Sequence, residues 1–279
     1  MPDCDLLGHC CRFQTPDPSR IQGKWSRFER YENRIRWQFG LPLHGTPNYA
    51  KLDARLAFKG LAAGAPIFLR IFKEESDLEL WMQKGDRFVL AVTYPICKWS
   101  GTLGPKLKEG DRQTPEGFYS VARHQLNPNS RWHRSFNVGF PNAFDRALKR
   151  TGSFIMVHGG CSSIGCYAIT DDGIDEVWRL VNAAFANGQK RFQVQSFPFR
   201  MTRANLARQP DHPWAAFWED LKHGYDLFES TRIPPRVSVC NKRYAFETGN
   251  PGGKGDHSIN QRCSQQARPD PGVKHGRRG

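Results

Sequence analysis

The residues best suited to chemistry lie in one ten-residue stretch, His158-Gly159-Gly160-Cys161-Ser162-Ser163-Ile164-Gly165-Cys166-Tyr167. A thiol is mostly protonated at neutral pH, and its thiolate is the nucleophile. An imidazole nearby can take the proton and later return it to a leaving amine. Cys166 as nucleophile with His158 as proton acceptor therefore reads as acyl-transfer chemistry on an amide carbonyl. The glycines let the backbone approach a substrate closely, and loop N–H groups can face a developing oxyanion. Gly159, Ser163 and Gly165 are the candidates for oxyanion and loop support, Ser163 through a local hydrogen bond.

Other readings of the same residues stand beside this one. A cysteine can be an inert core residue. His158, Cys161 and Cys166 form H-x2-C-x4-C, three candidate zinc ligands without an evident fourth. Cys161 and Cys166 could also pair as a disulfide. A phosphate cradle would need a nearby lysine, and there is none. Neither a metal nor a cofactor is expected. Arg112, Arg131 and Arg134 are candidates for binding substrate carboxylates through bidentate pairs, against the alternative of a solvated basic loop. Trp132 and Phe136 could line a groove or pin a loop.

The elements that must position this stretch are short and β-rich. The run Phe154–Val157 reads as a buried strand that delivers His158 to its end. Upstream, Ile67–Phe72, Leu78–Met82 and Phe88–Tyr94 read as consecutive strands of a meander or barrel, separated by turn signals. A long Gly/Lys-rich loop spans 100–111, and Thr114-Pro115-Glu116-Gly117 has the form of a type I turn feeding a strand, Phe118–Val121. Residues 127–150 read as loop. From 171 the period becomes helical, with Asp171 or Asp172 as N-cap and Gly188 as the stop. Phe192–Phe197 alternates as a strand, Met201–Arg208 and Trp214–Phe228 read as helices, and Val237–Val239 with Tyr244–Phe246 as a hairpin.

At 279 residues, with 38% apolar and 12% aromatic content, the chain suits one main domain with additions. The fold class is α+β. The expected organisation is an irregular extension over 1–50 with a short helix near Trp25–Trp37, a catalytic domain over 51–200, a helical C-terminal subdomain over 201–247 and a disordered basic tail over 248–279. The net charge of +14 suits weak binding of polyanions or an acidic substrate, and much of the excess lies towards the ends. No nucleic-acid motif is present, so no nucleic-acid partner is expected. No apolar run approaches the length of a transmembrane segment, and no signal peptide is legible. The eight irregularly spaced cysteines do not form a compact disulfide scaffold.

His-Gly followed by Ser-x-Gly-Cys resembles the signature of the L,D-transpeptidase catalytic domain, the YkuD-type family. Gly110-Asp111-Arg112-Gln113-Thr114-Pro115-Glu116-Gly117-Phe118-Tyr119 is similar to its second landmark. Arg70–Glu75, Tyr94–Cys97, Leu103–Leu107, Phe140–Ala143 and Gly165–Asp171 resemble the YafK/DpaA-like branch. The resemblance implies a β-rich core of mixed or antiparallel strands, sandwich- or barrel-like, with the family's Cys, His and Ser falling on Cys166, His158 and Ser163. It implies an acyl-enzyme formed on peptidoglycan stem peptides at diaminopimelate and passed to an amine. In the DpaA-like branch it implies hydrolysis of the amide that ties a lipoprotein lysine to the wall. Ile164 stands where the commoner family motif has a second histidine. The resemblance also implies the cell envelope or periplasm, despite the absence of a legible signal. A non-catalytic wall-binding or zinc-stabilised module is the remaining alternative.

Overall fold

A computed structural model of the chain describes residue 28 and residues 31–263. Its centre is a five-stranded sheet of order β3-β2-β1-β9-β4. The strands are β1 (Ile67–Phe72), β2 (Asp77–Lys84), β3 (Arg87–Pro95), β4 (Gly117–Ala122) and β9 (Arg191–Phe197). Strand β1 runs antiparallel to β2 and parallel to β9. All six of its residues are buried, because both faces of the sheet are covered. Ile67, Leu69 and Ile71 join Ile174, Val177, Leu180 and Val181 of helix α4 (Asp171–Ala186) in the larger core. On the opposite face, Phe72 meets Trp218, Leu221 and Tyr225 of helix α6 (Ala215–Thr231). Residues 201–247 therefore share a core with the catalytic region rather than forming a separate layer.

A second sheet has the order β5-β6-β7-β8, with β5 (Leu126–Ser130), β6 (His133–Asn137), β7 (Met156–His158) and β8 (Tyr167–Ala168). A two-way bridge between Lys98 and Ala168 ties β8 to the segment leaving β3. The third sheet, β11-β10-β12, contains β10 (Arg236–Cys240), β11 (Arg243–Glu247) and β12 (Asn260–Gln261).

Several sequence expectations change here. Residues 127–150 are not a loop. They hold β5, β6 and the helix α3 (Ala143–Ala147), which starts at a reciprocal cap between Asn142 and Asp145. Strand β5 was hidden because it is a mostly exposed polar edge strand without alternation. The short helix expected near Trp25–Trp37 is present over residues 31–38, as α1. It is followed by a single 3-10 turn (Tyr49–Lys51) and α2 (Leu52–Phe58). Part of the expected disordered tail is also structured. Strand β12 pairs in parallel with β10, and Cys263 is bonded to Cys240. The N-cap of α4 is Thr170, whose hydroxyl accepts from the Gly173 N–H, so Asp171 falls in the first turn. Cys4, Cys10, Cys11, Trp25 and the tail from 264 onward lie outside the described residues. Among the described residues, no helix is long and apolar enough to cross a membrane.

Candidate active site

Strands β7 and β8 are parallel, with Val157 opposite Tyr167 and His158 opposite Ala168. Val157 and Tyr167 are buried in the main core. Alternation then directs Met156 and His158 to the opposite face, and Cys166 lies in the bend just before β8. Continuing that register sets Cys166 beside Met156, two positions along from His158, with its sulfur 3.4 Å from the Met156 nitrogen. The thiol is half-buried, and Cys166 is the one free cysteine among the described residues.

The loop between them is held by acceptors from three directions. The Gly159 N–H donates to the Trp132 and Arg134 carbonyls, and the Gly160 N–H to Asp171 Oδ1 at 2.8 Å. A Cβ at position 159 would lie 2.3 Å from that carboxylate oxygen and 2.9 Å from the Trp132 carbonyl, so only glycine fits. Gly165 has φ +107°, a conformation that favours glycine. Its N–H donates to Ser100 Oγ at 2.5 Å. The Ser163 hydroxyl accepts from the Cys166 N–H at 3.0 Å and donates to the Cys166 carbonyl at 2.6 Å. Thr114 Oγ1 donates to the same carbonyl at 3.4 Å. The N–H groups of Gly159 and Gly165 are thus engaged by the protein itself. They support the loop and do not stand open as oxyanion donors.

Beneath the loop lies a buried ion pair. Lys73 and Glu116 are fully buried, with Nζ 2.9 Å from Oε1. Lys73 also donates to the carbonyls of Thr102, Gly104 and Thr114. Glu116 accepts from the Gly104 N–H and from Trp218 Nε1 at 2.8 Å. A buried pair holds only when its remaining donors and acceptors are satisfied. Here the satisfying groups shape the 100–116 loop, fix Thr114 under Cys166, and join α6 to the site.

His158 is 3% exposed, and its Nδ1 lies 2.6 Å from the Gly159 carbonyl oxygen. Its ring stacks on Trp132, with centroids 5.8 Å apart and planes at 25°. Burial pulls the imidazole below its ordinary value, against the Gly159 carbonyl and the Asp171 charge. Burial also pushes the Cys166 thiol up, opposed by the Met156 N–H and the Lys106 charge. The sulfur sits 3.4 Å from the Met156 nitrogen and 3.7 Å from the Phe154 carbonyl oxygen, and it makes no hydrogen bond to the imidazole. Both groups rest uncharged.

Cys161 is bonded to Cys97, with Cα atoms 5.3 Å apart, which removes both the zinc set and the Cys161–Cys166 pairing. No cluster of metal-ligating side chains occurs among the described residues. Of the candidate arginines, Arg134 pairs with Asp175 at 2.8 Å, an acceptor that also takes His133. Arg131 lies over the Trp132 ring at 5.7 Å, on the ring that stacks on His158. Arg112 is exposed on the 100–116 loop. Phe154 and Ile164, each 75% exposed, leave an apolar rim near the sulfur. Sequence reasoning missed Ser100, the Lys106 charge and the loop-holding role of Asp171. The Ser100 contact joins residues 65 positions apart, and no local pattern carries that.

The family described as L,D-transpeptidase catalytic domain, YkuD, matches residues 71–195, which include both His158 and Cys166. The chain is 51% identical over 187 residues to the Escherichia coli K12 protein named "Putative L,D-transpeptidase YafK", covering 67% of this chain and 76% of that one. Its counterpart in Escherichia coli O157:H7 matches to the same extent. Among solved structures, the K307A mutant of the helical cell shape determining protein Pgp2 from Campylobacter jejuni is 19% identical, with a TM-score of 0.40 over 66% of each chain. On the family match and the half-identity to YafK across most of its length, this chain belongs to the YkuD-type L,D-transpeptidase catalytic domain family.

Proposed function

We propose that the protein is a cysteine-dependent acyltransferase of the cell wall, forming an acyl-Cys166 intermediate on a peptidoglycan stem peptide at diaminopimelate. The observation that carries this reading is that His158 ends β7 and Cys166 immediately precedes the adjoining parallel strand β8. A carbonyl only accepts hydrogen bonds, so the short contact to Gly159 holds the proton of neutral His158 on Nδ1 and leaves the Nε2 lone pair as the base. Rotation about the Cys166 Cα–Cβ bond brings the sulfur towards that lone pair when substrate displaces it from the Phe154 carbonyl. Nε2 takes the thiol proton as Sγ attacks the amide carbonyl. The tetrahedral intermediate collapses as Nε2 returns that proton to the leaving amine. A thioester remains on Cys166; an incoming amine attacks its carbonyl and gives a proton to Nε2, the C–S bond breaks as the new amide forms, and Nε2 returns the proton to the Cys166 sulfur.

Hydrolysis is the second reading, favoured by the exposed rim at Phe154 and Ile164. An open thioester is accessible to water, and an amine must be held in place to compete. In that case the enzyme is an amidase that frees a lipoprotein from its diaminopimelate–lysine anchor. Both readings need the wall, so we place the protein in the envelope or periplasm. Two disulfides support an oxidising compartment. Mass spectrometry of products from wall fragments in 18O-water, with a Cys166→Ala control, tests both. A new amide cross-link identifies transfer, and an 18O-labelled carboxylate identifies hydrolysis. Equal turnover by Cys166→Ala removes both readings.

A further inference from the structure

The N-terminal segment, for which the sequence offered no role, packs on the back of the site. Leu43 is 4% exposed and forms a small cluster of its own with Cys97, fully buried, and Cys161, 6% exposed. The Asn33 carbonyl oxygen approaches Cys97 Sγ to 4.0 Å, and Asn33 itself is buried. The segment is tied to itself around these two residues. The Asn33 side chain accepts from the His44 N–H, the His44 ring meets Glu32 at 2.7 Å, and Arg36 Nε donates to the Pro42 carbonyl at 2.7 Å. Its inward contacts thus converge on one disulfide. That disulfide joins the segment after β3, itself bridged to Ala168, to the loop between His158 and Cys166. The other disulfide among the described residues has no such cover, since Cys240 is half-exposed and Cys263 exposed.

We infer that residues 33–44 form a clamp in which Leu43 and Asn33 close over the Cys97–Cys161 disulfide, shield it from reductants, and so hold the 159–166 loop in the geometry that sets Cys166 reactivity. The inference takes Cys166 as the reactive thiol of the proposed function. Leu43 and Cys161 are positioning residues, and neither touches the reacting atoms. A disulfide is opened by thiolate attack on one of its sulfurs, so access controls its rate. Dithiothreitol opens the bond by becoming its cyclic disulfide, while Cys97 and Cys161 each gain a hydrogen.

The test uses the full chain under native conditions with dithiothreitol, timed quenching with an alkylating agent, and peptide mass mapping. In the unmodified protein, Cys240–Cys263 opens first and Cys97–Cys161 persists. Leu43→Ala speeds opening of Cys97–Cys161 by roughly tenfold or more, the effect of deleting a buried leucyl side chain on a local opening. It leaves the Cys240–Cys263 rate unchanged, and Leu43→Met restores protection. The second readout is the pH profile of Cys166 alkylation by iodoacetamide, which shifts once Cys97–Cys161 is open and does not shift when only Cys240–Cys263 is open. Equal opening rates for the two bonds, no effect of Leu43→Ala, or an unshifted Cys166 profile after opening would overturn the clamp. Turnover of wall peptides on the same samples separates the two ideas. Its absence with the protection pattern and the profile shift intact removes the catalytic reading and leaves the clamp standing.

Discussion

His158 Nδ1 lies 2.6 Å from the carbonyl oxygen of Gly159, the next residue in the chain. That contact holds the proton of neutral His158 on Nδ1, while burial sets the direction in which both site groups titrate. Burial lowers His158 from the ordinary 6.5 and raises Cys166 from the ordinary 9.0, so the resting pair is thiol and neutral imidazole. The expected kcat/KM therefore rises on an acid limb with an apparent pKa below 6.5 and holds a broad plateau above it. Alkylation of Cys166 in the free enzyme titrates above 9.0. A thiolate already formed at pH 6 would contradict the neutral pair.

Trp132 supports the imidazole from one side. Its ring stacks on His158, and its carbonyl accepts from Gly159. An aromatic face favours a cation over it by about 0.5–2 kcal/mol, so the ring stabilises the imidazolium formed during attack. Trp132→Ala is expected to lower kcat by roughly five- to tenfold, move the acid limb further down, and leave KM nearly unchanged. Trp132→Phe keeps a face and most of the rate. Loss in KM alone would make Trp132 a substrate-binding residue instead.

Lys73 and Glu116 form a fully buried pair whose other bonds hold the 100–116 loop. Lys73→Met leaves the carboxylate buried without its cation, at a cost of about 3–5 kcal/mol. Chemical denaturation would show this as a lower midpoint, with a similar slope if unfolding stays two-state. A change under about 1 kcal/mol would mean that the pair is not the anchor of that loop.

Glu75 has a second consequence for pH. Burial pushes its carboxyl up to about 7 from 4.5, against the Arg200 backbone N–H, and one of its oxygens has no hydrogen-bond partner. A carboxyl raised on folding contributes stability that is fully present below 4.5 and lost as pH rises through about 7. Glu75→Gln is expected to add about 1–2 kcal/mol at pH 8 and flatten the fall in melting temperature between pH 5 and pH 8. An unchanged slope in the variant would assign that fall to other groups.

What could be read in advance followed from burial and period. Ile67–Phe72 and Phe192–Phe197 read as strands because they are covered on both faces or alternate, and helix α4 shows its apolar stripe at helical spacing. The glycine and cysteine spacing marked the loop between His158 and Cys166. Strand β5 escaped because a polar edge strand has no signature that separates it from loop, and the interior strand β6 escaped because its five residues bury only the adjacent pair Ser135 and Phe136, with no alternation. Strand β12 escaped because a two-residue strand depends on the Cys240–Cys263 bond and on pairing to β10, not on its own composition. Ser100, Thr114 and Asp171 reach the loop across the fold, so their roles needed the folded chain. Leu43 and Asn33 looked like parts of an irregular extension because a single inward leucine and asparagine make no period.

The most direct test of the central claim is intact-mass analysis of the full chain after brief incubation with purified stem peptides, followed by acid quench and peptide mapping. The account predicts a mass increase equal to the donor peptide minus its leaving amine, located on the peptide containing Cys166 and absent from Cys166→Ser. Efficient turnover with no adduct under quench conditions that preserve thioesters, or an adduct on any other residue, would contradict it.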